Sequence, residues 1–178
     1  MKNFFILLFM LAFTMSFAQS THTVDFEPAG TGADWEWTVS ENADNPPLEF
    51  VSNPSSDGVN STATTAKFTA RETGNPWALC LTDDDGEFTF DASNSIVKIK
   101  VYKSVISDVG IKFEGMSAPI EIKIPNTVTD QWEELTFDFS GQIGNTYNTI
   151  VIIPDFEART EDHIVYFDEL QVPDGVLS

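Results

Sequence analysis

The sequence predicts an all-β fold: a two-sheet antiparallel β-sandwich of the jelly-roll type. Three observations carry this. Across residues 131–140, Leu135, Phe137 and Phe139 alternate with Thr136 and Asp138, the period of two expected of a strand with one dry face and one wet face. Residues 150–153 and 164–167 are apolar without alternation and read as strands covered on both faces. The remainder breaks into short apolar runs bounded by Gly, Pro, Asn and Asp. This makes about eleven strands with no helical period, enough for two sheets that each bury an inner face.

In chain order, residues 1–18 read as a signal peptide: Lys2, an apolar run to Phe13, then Ser16, Phe17 and Ala18 as the small-x-small site for cleavage. The apolar run is too short to span a bilayer, and no cysteine follows the cut to take a lipid. The expected location is therefore secreted, cell-surface or periplasmic, without membrane insertion. Residues 19–178 form a single domain. Residues 23–26 make a first strand, stopped by Glu27 and Pro28. Residues 34–39 make a second, with Trp35, Trp37 and Val39 on one side. Residues 42–47 and 53–62 read as loops, the second long, polar and at the surface, with Asn60-Ser61-Thr62 formally a glycan acceptor. Strands follow at 64–70 and 77–82, then Asp83-Asp84-Asp85-Gly86 as a hairpin turn into 87–90. Alternation at Val97, Ile99 and Val101, at Val109, Ile111 and Phe113, and at Ile120, Ile122 and Ile124 marks three more. Cys80, the single cysteine, alternates with Leu79 and Leu81 and reads as a buried thiol with no disulfide partner.

Net charge is −19, from 28 acidic and 9 basic residues. Such a surface repels phosphate backbones, which excludes nucleic acid as a partner, and it attracts cations.

The segments QWEELTFDFS, IVIIPDF and VYFDEL, with VDFE near the start, resemble non-catalytic carbohydrate-binding modules of the β-jelly-roll, galactose-binding-like type, found in exported bacterial polysaccharide-utilisation systems. The resemblance implies a polysaccharide ligand, a neutral glycan such as a β-glucan, and a catalytic or surface-assembly partner. It also implies a structural calcium joining first strand to last, with Asp25 or Glu27 and Asp168 as its candidate ligands.

Sugar recognition needs a flat aromatic face for the C–H side of a pyranose and fixed polar groups for its hydroxyls. Trp35 and Trp37, two apart on a strand and so about 6–7 Å apart on one side, are a candidate platform. Trp77, after Gly74-Asn75-Pro76, is a candidate at a strand mouth. Arg71 is placed to stack on it and donate to hydroxyls, or else to pair with a carboxylate. Lys112 and Glu114 point outward from their strand as hydroxyl-binding candidates. Trp132 reads as structural. Zinc is disfavoured with only His22 and His163 to hold it.

Two other functions share the fold. A small glycoside hydrolase or polysaccharide lyase needs two carboxyls across one bond, or a basic cluster. Glu133 and Glu134 point opposite ways and supply neither. An adhesion or assembly module needs an exposed apolar patch instead of a polar groove.

Overall fold

The computed structural model describes residues 20–176, so the signal-peptide segment lies outside the described residues. The first sheet runs β10 (Trp132–Asp138), β7 (Ile96–Lys103), β13 (His163–Pro173), β4 (Thr64–Ala70) and β3 (Glu49–Ser52), with β1 (Thr21–Val24) also on β13. The second runs β2 (Thr38–Ser40), β5 (Leu79–Thr82), β12 (Thr149–Phe156), β8 (Asp108–Glu114) and β9 (Ile120–Pro125). All pairings are antiparallel. A short ladder, β6 (Phe88–Thr89) with β11 (Thr146–Tyr147), lies apart from both.

Register explains the core. Val39, Cys80, Ile152, Ile111 and Ile122 face one another across the second sheet, and Phe50, Ala66, Phe167 and Val101 across the first. Both rows join one hydrophobic core. Between the sheets Phe88, Phe90, Phe113, Phe139 and Tyr147 pack ring on ring, Phe113 and Phe139 at 4.9 Å. The expected dry strand at 135–139 and the doubly covered strand at 150–153 are both present, with Ile150, Val151, Ile152 and Ile153 all buried.

Several expectations change. The second strand begins only at Thr38, so Trp35 and Trp37 precede it. Residues 83–86 do turn, with Gly86 at φ +87, but they make no hairpin, because β5 and β6 belong to different sheets. β3 lies between two loops, in a stretch whose sequence predicts no strand. Its four residues follow two prolines and are too short to show a period. The 53–62 segment is only partly surface: Asn60 is 0% exposed.

Candidate functional site

On the second sheet, the alternation that sends Val39 and Cys80 inward sends Ser40, Leu79, Leu81, Val151, Ile153 and Lys112 outward. Gly110 lies among them. A Cβ there would stand 3.2 Å from the Ile153 side chain, so its absence leaves Ile153 room. The strand expected at 77–82 begins only at Leu79, so Trp77 lies in the turn before β5, where it is 46% exposed. The loop that carries it folds back on residue 41: the Asn75 backbone N–H donates to the Glu41 carbonyl at 2.8 Å. Asn75 Nδ2 and Trp77 Nε1 both donate to Glu41 Oε2, at 2.6 and 3.3 Å. A polar cleft of about 370 Å³ lies alongside, lined by Ser40, Glu41, Asn42, Ala43, Asn45, Thr73 and Asn75. Its wall holds three non-glycine residues in the left-handed region, Glu41 (φ +60), Ala43 (φ +52) and Asn45 (φ +47). That is strained backbone, tolerated only where the surroundings over-determine it.

Arg71 buttresses this wall from behind. Nε and Nη2 grip Asp44 at 2.9 and 3.0 Å, and Nη1 pairs with Asp162 at 2.8 Å. The ion-pair reading of Arg71 therefore replaces the stacking one. The cation–ring contact among the described residues is Lys123 over Phe156. Beneath the loop, the Arg159 guanidinium is buried and donates to the carbonyls of Arg71, Asn75, Asp155 and Glu157.

Trp35 and Trp37 do lie side by side, ring centroids 6.3 Å apart at 28°. They face the core, however, and do not form an open platform. Trp37 packs on Phe26, which stacks on Phe50, and its indole N–H donates to the Gly32 carbonyl. Trp35 meets His22 edge-on. These rings pack against the core near β2 and β3. A cleft of about 490 Å³ lies beside Phe26 and Phe50.

Lys112 and Glu114 share the outer face with Trp77 but pair with each other. Trp132 is buried, as a structural residue should be, yet on the outer side of the first sheet. The segment at 53–55 covers it, accepting its N–H at Asn53 Oδ1 and the Ser55 carbonyl. Tyr102 and Tyr166 continue that row, and no sequence pattern singles them out. They meet at 81°, so the pair offers no common flat face.

Asp25, Glu27 and Asp168 are brought near one another because β13 changes neighbour at Asp168, from β4 to β1, through a register shift with Glu169 at φ +43. Asp168 is 0% exposed and accepts from Asn60, Thr62 and the Glu169 amide. Burial, together with the Asp25 and Glu27 carboxylates, pushes it up to about 6. Asp25 takes the amides of Glu27 and Thr31, and Glu27 those of Ala63 and Thr64. Gly30 is required here, since a Cβ would meet Asp25 Oδ1 at 1.9 Å. Every one of these donors is neutral, and among the described residues no ion pair reaches Asp25, Glu27 or Asp168, which fits a hard cation. Among the described residues, the three side chains whose ligand atoms converge within 4.8 Å are instead Asp155, Glu157 and His163. There Lys103 and Arg159 already supply positive charge. Lys103 is held below its ordinary pKa by burial. Burial alone would raise Asp155, but Lys103, Ser107 and His163 outweigh it and hold it low. This group is closed and internally satisfied.

No model of a known protein family matches the chain, and no curated protein matches it either. Solved structures do match. A family 29 carbohydrate-binding module aligns with TM-score 0.55 at 8% identity, over 89% of this chain and 90% of that one. The fold is that of the family 29 modules. A variant of such a module complexed with mannohexaose aligns with TM-score 0.55 at 8% identity, over 89% of this chain and 94% of that one. Another, complexed with cellulohexaose, gives 0.56 at 8%, over 90% and 94%.

Proposed function

We propose that the protein is a non-catalytic carbohydrate-binding module that holds a neutral polysaccharide, with β-glucan the first glycan to test, at Trp77 and on the part of the outer face of the second sheet where Leu79, Leu81 and Lys112 keep exposure, Val151 and Ile153 being buried between them. The carrying observation is the exposed Trp77 indole, oriented through its N–H by Glu41 beside a strained polar cleft. An apolar plate next to fixed amides and a carboxylate matches the two faces of a pyranose. The likeness of fold to modules seen with mannohexaose and cellulohexaose supports the same class of ligand. Lys112 and Glu114 lie on the same outer face, on β8 across β12 from β5. In this reading residues 1–18 direct export, the protein acts outside the cytoplasm, and a catalytic or surface-assembly partner benefits from the bound glycan.

The same reading puts a structural Ca²⁺ at Asp25, Glu27 and Asp168. Bound there, the cation supplies the positive charge that lets the buried Asp168 ionise. Asp25 and Glu27 lead out of β1, so binding ties the start of the domain to its last strand. Excess chelator is expected to lower the melting temperature through binding linkage. An unchanged melting curve removes calcium as a stabiliser.

Affinity electrophoresis and calorimetry across a panel of neutral glycans test the main claim, with calcium in the buffer. Retention by at least one, lost in Trp77→Ala, is the expected result. Retention that survives Trp77→Ala moves the site elsewhere, and new reducing ends in the incubated glycan make the protein an enzyme.

A further inference from the structure

We propose that Glu41 determines specificity at this surface, restricting it to saccharides without acidic groups. The inference rests on the reading that Trp77 holds a neutral sugar, and it names the residue that sets that preference.

Glu41 is fixed at both ends. Its carbonyl accepts from the Asn75 amide, and its Oε2 accepts from Asn75 Nδ2 and Trp77 Nε1. With Oε2 taken, Oε1 is the oxygen with no partner among the described residues, and it belongs to a group held against the indole on which a ring would stack. A charged acceptor in a fixed place takes hydrogen bonds from neutral hydroxyls that are stronger than neutral–neutral ones. The same oxygen repels a uronate or sulfate on the stacked ring.

Among the described residues, the cations of this face are already engaged: Lys112 pairs with Glu114 and Lys123 with Glu121. Arg71 spends Nε and both terminal nitrogens on Asp44 and Asp162. Arg159 is buried, with its donors on four backbone carbonyls. The residues lining the cleft include no lysine or arginine. Proteins that accept acidic groups place free guanidinium forks there. Here the forks are present but already occupied by the protein's own carboxylates and carbonyls.

The test is calorimetry with cellulohexaose, mannohexaose and a galacturonic acid hexasaccharide, on wild type, Glu41→Gln, Trp77→Ala and Asp57→Asn. Asp57 is an exposed carboxylate on another loop and controls for net charge. Wild type is expected to bind a neutral hexasaccharide at least about tenfold more tightly than the uronate. Glu41→Gln is expected to close most of that gap, Asp57→Asn to leave it, and added salt to narrow it in the proteins that keep Glu41. Equal wild-type affinity for both classes overturns the assignment. So does a gap that Glu41→Gln leaves unchanged while Trp77→Ala abolishes binding, which sinks Glu41 alone. Neutral-sugar binding that ignores Trp77→Ala, or no binding to any of the three, sinks the site reading and Glu41 with it.

Discussion

Trp37 and Trp77 stand at the mouths of neighbouring strands of one sheet and end on opposite sides of it. Trp37 is two residues before Val39, which faces the core opposite Cys80. Trp77 is two residues before Leu79, which faces outward opposite Ser40. The inward tryptophan joins a continuous run of rings with Trp35, Phe26 and Phe50 and spends its N–H on a backbone carbonyl. The outward one spends its N–H on a carboxylate and leaves its ring in solvent. The same residue type is thus packed against the core in one place and left open in the other, and in the proposed reading the open one serves recognition.

The largest expected effect asks whether the outward site is independent of the interior. Arg159→Ala removes the buried guanidinium under the Trp77 loop and leaves Asp155 short of a partner. It should cost about 3–5 kcal/mol, measured by denaturant unfolding. A loss under about 1 kcal/mol would show that the loop holds itself. Next, Trp37→Ala should lower stability by about 3 kcal/mol, the low end for an aromatic truncation because the ring keeps some exposure. Glycan affinity of the folded variant should be unchanged. Trp77→Ala should reverse that pattern: stability within about 0.5 kcal/mol of wild type, and binding weaker by about 2 kcal/mol, or about thirtyfold. If the two variants behave alike, the distinction between the tryptophans is broken.

The smallest effect concerns the end of the inward row, where Trp35 meets His22. The His22 ring nitrogens face Asp85 at 3.2 Å and Asp174 at 3.3 Å, and Asp85 Oδ2 is buried without a hydrogen bond. Burial pushes Asp85 from 3.8 up to about 6, with His22 opposing and Asp174 adding to the rise. The folded protein therefore keeps a proton there that the unfolded chain releases across this interval. This carboxyl costs stability progressively as pH rises from about 4 to about 6, and no more above it. Asp85→Asn should gain on wild type by about 1 kcal/mol between pH 4 and pH 7, after allowance for screening. A constant difference across that range would contradict a burial-raised Asp85 as the source of the pH dependence.

Much of the fold is legible because the side-chain period of two survives wherever one face is dry, as at Leu135, Phe137 and Phe139. β3 is not, because four residues after a proline pair carry too little pattern. The site is legible only in part. The Gly74-Asn75-Pro76 break points to Trp77, but nothing local shows that Glu41 arrives beside it from 36 positions away. Trp35 and Trp37 escape a sequence reading because spacing gives a shared side, not which side. Asp25, Glu27 and Asp168 are brought together by a change of strand neighbour that no single segment encodes.

One consequence falls on how the protein is made. Asn60 heads a sequon, yet its amide nitrogen is sealed within the domain, donating to Asp168. An oligosaccharide added there during synthesis in a eukaryotic secretory pathway would take away one of that carboxylate's three donors and block closure of the loop. Material from such a host should carry no modification at this position if native, and misfold if modified, which makes mass at Asn60 a direct reporter of folding order.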